Sequence, residues 1–177
     1  IAPPDFTYKE FGAAPMMEKR PVIDGDLSDW GELTHGLRMQ YRGNSLDKIP
    51  DGPTVYVRWS PDGMYFAYTL KDSTGIQPCA EHSWSGDCLE VMVDTANTRR
   101  KDAYMNPTAQ KFNFSPFGCR GNKNITISEM GRGLRGLRMA SDYPDLVGSM
   151  GSSAARLTAD GYTVECFIDR RGFAWPQ

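Results

Sequence analysis

At 177 residues, 40% of them hydrophobic, the chain has the size of one compact domain, long enough to bury roughly 70% of the surface its unfolded form exposes. Its 20 basic and 22 acidic residues give a net charge of -2 in a mixed distribution, which excludes the cationic footprint of a nucleic-acid or anionic-membrane binder. No apolar run approaches the roughly 20 residues of a membrane span.

Residues 1–20 have turn and breaker composition, with three prolines before Pro21, and predict an extended lead-in to a single domain over 21–177. The first residue is Ile and no apolar signal-peptide core follows, so the chain reads as a processed or trimmed product. Val22–Asp26 predicts a short strand running into an Asp-Gly turn. Asp29 is then placed to cap a short helical turn, with Glu32 bonding back in a capping box. The spaced acids Asp24, Asp26 and Asp29 are the alternative reading, a set of oxygen ligands for a structural Ca2+, although the Gly and full ligand count of an EF-hand loop are absent.

Val55–Trp59 and Met64–Leu70 are aromatic and β-branched strands separated by Ser60-Pro61-Asp62-Gly63, a hairpin loop. Next comes the most informative stretch, His82 to Asp94. Trp84 precedes an alternating strand in which Leu89, Val91 and Val93 face inward and Cys88, Glu90 and Met92 face the other way. An aromatic ring beside a carboxylate suits a sugar: the ring covers the C–H face of a pyranose and the carboxylate accepts hydrogen bonds from its hydroxyls. The alternative is a core Trp at a strand entrance.

Phe112–Phe114 and Gly161–Ile168 add two strands, and short ones are predicted near Ile125–Ile127 and Ala154–Leu157. No helix of amphipathic length is evident, so the fold class is all-β, an antiparallel β-sandwich.

The four cysteines, Cys79, Cys88, Cys119 and Cys166, match no zinc, redox or haem-attachment spacing. A Cys79–Cys119 disulfide is expected, both lying in loop-like segments; Cys88 and Cys166 pair across the sheets or stay as buried thiols. Asn113 and Asn124 begin glycosylation sequons, in keeping with a secreted or cell-surface chain. Catalysis has little to work with. The only histidines are His35 and His82, no nucleophile elbow or His-Glu-x-x-His helix occurs, and Asp87 and Glu90, three apart on a strand, point to opposite faces.

Taken in order, several segments resemble the family 9 carbohydrate-binding modules and their DOMON-like relatives, whose sandwiches are of jelly-roll type. They are Pro21–Gly25 with Trp30, Val55–Trp59 with Gly63–Phe66 and Asp72, Trp84–Asp87 with Glu90 and Asp94, and Gly161–Glu165. The resemblance implies a non-catalytic module of a larger extracellular protein, holding a saccharide between two tryptophans and often carrying structural calcium. Trp84 matches the first of those tryptophans and Glu90 the carboxylate on the sugar hydroxyls, while Asn113 stands where well-studied members have a basic sugar contact. Family modules continue past the Gly161–Ile168 strand with further strands and a second Trp, whereas this sequence ends at Gln177. The expectations are therefore an exposed sheet edge beside that strand, weak sugar binding by the chain alone, and completion by further segments or domains. Two other readings stay open. One is a haem-binding electron-transfer domain, since nine methionines and two histidines are available as ligands. The other is an assembly module that keeps the fold without binding sugar.

Overall fold

A computed structural model describes residues 14–33, 37–38, 53–78, 85–98, 109–115, 117, 125–130 and 151–173. Among these, eight strands are formed: β1 (Leu37–Arg38), β2 (Thr54–Ser60), β3 (Gly63–Lys71), β4 (Leu89–Asp94), β5 (Ala109–Ser115), β6 (Ile125–Met130), β7 (Gly151–Leu157) and β8 (Gly161–Asp169). They make an antiparallel five-stranded sheet in the order β1-β2-β3-β8-β7 and a three-stranded one in the order β4-β5-β6. The all-β, antiparallel sandwich expected from the alternation is the observed architecture.

Alternation also sets the layers. Phe66 and Tyr68 of β3, Phe112 and Phe114 of β5, and Val164, Cys166 and Ile168 of β8 interleave between the sheets as the main core. Residues of opposite parity on the five-stranded sheet, Tyr65 and Ala67, pack with Trp30 beneath the 14–33 segment. That sheet is thus covered on both faces, which explains why β3 and β8 read as nearly continuous apolar runs.

Three local expectations are corrected. The β2–β3 turn is only Pro61-Asp62, because Ser60 and Gly63 pair as the last rung; Pro61, with no N–H, ends the ladder there. Val22–Asp26 is a series of bends and not a strand, since its amides are given to carboxylates: Val22 N to Asp29, and Asp24 N and Gly25 N to Glu165. The cap of the 3-10 helix Leu27–Trp30 is Asp26, whose side chain accepts from Ser28 N, and not Asp29.

The expected open edge beside β8 is not there either. β8 lies between β3, which pairs with all of it, and β7, which pairs with residues 162–168, because the short turn at 158–160, closed by Thr158 N to Gly161 O at 2.9 Å, folds β7 back onto it.

Candidate functional site

β4 and β5 pair with Glu90 opposite Asn113 and Met92 opposite Lys111. Leu89, Val91 and Val93 pack on the core as the alternation requires, so Glu90, Met92, Lys111 and Asn113 share the face of this sheet turned away from it. Met92 is exposed there. Lys111 Nζ lies 2.7 Å from Glu90 Oε1, with the lysine side chain largely covered and the glutamate more open. At such exposure the pair adds only about 0–1 kcal/mol to stability. Its consequence is positional: the carboxylate is held beside a fixed cation.

Asn113 is wholly buried, and among the described residues neither Oδ1 nor Nδ2 has a hydrogen-bond partner. Such an amide costs free energy without a compensating bond. Burial also bears on its sequon, since the folded domain does not present this side chain to a glycan. Asn113→Leu, of similar volume, should stabilise the domain by about 1–2 kcal/mol, the typical desolvation penalty of an unmade bond. Chemical denaturation measures it, and a loss of stability would show that the amide has a partner in solution.

Cys88, just before β4, is a half-buried thiol and Cys166 a buried one. Burial, with the Glu90 charge adding to it and Lys111 opposing, pushes the Cys88 thiol up to about 11. Burial also holds the Cys166 thiol well above the ordinary range. Asp87, the other acid of this stretch, is occupied by the neighbouring loop: its Oδ2 accepts Gln77 N at 2.8 Å and its own N–H reaches Gln77 O at 2.6 Å. Trp84, the Cys79–Cys119 pair and Asn124 lie outside the described residues.

The acids proposed as calcium ligands serve the 22–30 turn. Asp29 Oδ2 accepts Val22 N, Asp24 Oδ1 accepts Asp26 N, and Asp26 accepts Ser28 N while pairing with Arg156. Among the described residues no group of three or more His, Cys, Asp or Glu is disposed to hold a metal ion.

The residue that organises this region had no role assigned from sequence. Glu165, fully buried on β8, accepts Trp30 Nε1 at 2.5 Å on one carboxylate oxygen and Asp24 N and Gly25 N at 2.9 and 2.6 Å on the other. Its signal was a lone acid inside an apolar strand covered on both sides, where a charge persists only if fully hydrogen-bonded. The Val22–Trp30 motif and the Gly161–Glu165 motif are thus the two halves of one latch.

No protein-family model and no curated protein matches the sequence. Among solved structures, the chain is similar to a family 9 carbohydrate-binding module from Caldicellulosiruptor kristjanssonii in complex with cellotriose. The TM-score is 0.56 at 17% identity, over 88% of this chain and 66% of that one. A structure of a family 9 module from the same organism in complex with glucose matches with TM-score 0.57 and 16% identity, over 92% and 70%. The chain therefore spans about two thirds of the length of these modules. The two-sheet order, the register and these superpositions together give the chain the antiparallel β-sandwich fold of the family 9 carbohydrate-binding modules.

Proposed function

We propose that the chain is a non-catalytic carbohydrate-binding module of a larger extracellular protein. It takes a neutral saccharide on the outward face of β4, where Glu90 and Met92 are open, beside the covered Asn113 of β5. The observation that carries this reading is the position of Glu90: an accessible carboxylate, oriented by Lys111, on a sheet face that also presents Met92. A carboxylate accepts the hydroxyls of a sugar, the ammonium donates to a neighbouring hydroxyl oxygen, and the thioether covers C–H surface. The Glu90–Lys111 pair is neutral as a unit, which suits an uncharged sugar. Trp84, five residues before Leu89 in sequence, supplies the stacking ring in this reading. Structures with the same fold hold cellotriose and glucose. No helix among the described residues is long and apolar enough to cross a membrane.

Isothermal titration with glucose, cellobiose and cellotriose tests the proposal. Glu90→Gln should weaken binding by at least about tenfold, the scale of a lost hydrogen bond to a charged group. Trp84→Ala should cost about 1–3 kcal/mol of binding with the fold intact by circular dichroism. Failure of the unmodified chain to bind any neutral saccharide would falsify the reading.

A further inference from the structure

At the β2–β3 turn end of the sandwich, between the two sheets, lies a cleft of about 440 Å³ lined chiefly by Trp59, Pro61, Met64, Val93, Phe173 and Arg170. It is separate from the Glu90 face, because Val93 points to the opposite side of β4. Trp59 belongs to the inward row of β2, in step with Val55 and Val57 of the core. Yet it is 42% exposed. An inward Trp left open means that the space in front of it is unfilled, whereas core voids much larger than a water molecule are rare.

The opening is not slack that side chains could take up, because each wall is pinned. Trp59 is hydrogen-bonded through both backbone groups, N to Pro15 O at 3.2 Å and O from Met17 N at 2.8 Å. The turn is tied to the end of β8 by Arg170 N to Asp62 O at 2.7 Å, and Asp62 is ion-paired with Arg20. Opposite, Gln110 Nε2 holds Gly172 O at 2.8 Å, and Phe173 packs edge-on against Phe112 with ring centroids 5.5 Å apart. A preformed concavity of this size falls in the range of small-molecule sites, roughly 300–1,000 Å³.

The lining selects the ligand. Indole, phenyl, thioether and prolyl surfaces favour a flat ring stacked on Trp59, and with Ser60 and Thr95 as the hydroxyl residues of the lining a sugar would leave most of its own hydroxyls unsatisfied. Arg170 is the charged residue of the lining, whereas Arg20 and Arg171 are ion-paired with Asp62 and Asp169. A planar guanidinium matches a carboxylate two bonds at a time. We propose that this cleft binds a flat aromatic monocarboxylate, its ring on Trp59 and its carboxylate toward Arg170.

The test is calorimetric titration of the full chain with 4-hydroxycinnamate, with the corresponding neutral amide as comparator and cellotriose as competitor. The expected result is saturable binding of one molecule per chain with Kd below about 1 mM, the amide binding about tenfold more weakly. Arg170→Gln should erase the preference for the acid while leaving the affinity for the amide unchanged. Val93→Trp, which fills the cleft, should abolish binding of both. If Val93→Trp fails to fold by circular dichroism, the surface variant Arg170→Gln decides alone. Absence of saturable binding, equal affinities for acid and amide, or displacement by cellotriose would each overturn the proposal.

Discussion

Glu165→Ala should destabilise the domain by about 3–5 kcal/mol, because it strands three donors at once, each costing about 1–3 kcal/mol when buried without a partner. Those donors are Trp30 Nε1 and the backbone amides of Asp24 and Gly25. Urea unfolding followed by tryptophan fluorescence measures the change; a loss below about 1 kcal/mol would mean that water replaces the carboxylate at no cost. The same residue sets a pH dependence. Burial raises the Glu165 carboxyl above the ordinary glutamate range, while the hydrogen bonds from Trp30, Asp24 and Gly25 draw it partly back. A carboxyl raised in the folded state holds its proton more tightly there than in the unfolded chain. Its contribution is therefore fully present below the unfolded pKa of about 4.3 and is lost as pH rises through the folded value. Glu165→Gln keeps the volume and does not titrate, so the stability of the unmodified chain relative to this variant should fall as pH is raised from about 4 toward 7. A difference that stays flat across that range, or rises, contradicts the assignment.

The second large effect is expected at Gly25. Its φ is +86°, and a Cβ there would sit 2.7 Å from both Ala155 C and Arg156 N of β7. Its N–H is given to Glu165 and its carbonyl accepts Thr163 Oγ1, so the backbone has little room to shift. Gly25→Ala should cost about 1–2 kcal/mol for the left-handed conformation and a further 1–3 kcal/mol for the overpacking. Gly31 provides the control. It too has positive φ, +69°, but nothing stands within 4 Å of the added carbon, so Gly31→Ala should show only the conformational part, about 1–3 kcal/mol at its ψ of −145°. Equal losses at the two positions would refute the close contact between the 22–30 turn and β7.

How far the residues alone could carry these conclusions depends on what kind of partner each one needed. The inward and outward rows of β4 follow from the period of two, so Leu89, Val91 and Val93 were legible as core and Glu90 as an outward acid. Which residue sits beside Glu90 depends on cross-strand register, and Lys111, 21 positions away, carries no local mark of it. The β2–β3 hairpin was readable because Pro61 and Asp62 carry their own turn chemistry. The Val22–Asp26 segment was misread as a strand because β-branched residues before an Asp-Gly turn satisfy the local pattern, while its hydrogen-bond acceptor lies on β8. Asp26 and Asp29 show the same limit at short range: both have the side chain for a cap, and the deciding factor is which is left over once Asp29 has reached back to Val22. The cleft at Trp59 was equally hidden, since its parity matches a core residue and only the tertiary packing leaves it uncovered.

The Trp30–Glu165 hydrogen bond also has a consequence in time. Its partners are 135 residues apart in the chain, so the segment that covers one face of the five-stranded sheet leaves the ribosome long before its anchor does. At typical synthesis rates of about 5–20 residues per second, Trp30 waits on the order of ten seconds for Glu165. Loops of this length are slow to close as well as late to be made. Throughout that interval the indole N–H lacks its native acceptor even once Tyr65 and Ala67 of β3 have emerged, and the nascent chain offers the unanchored segment to any chaperone that recognises exposed hydrophobic surface.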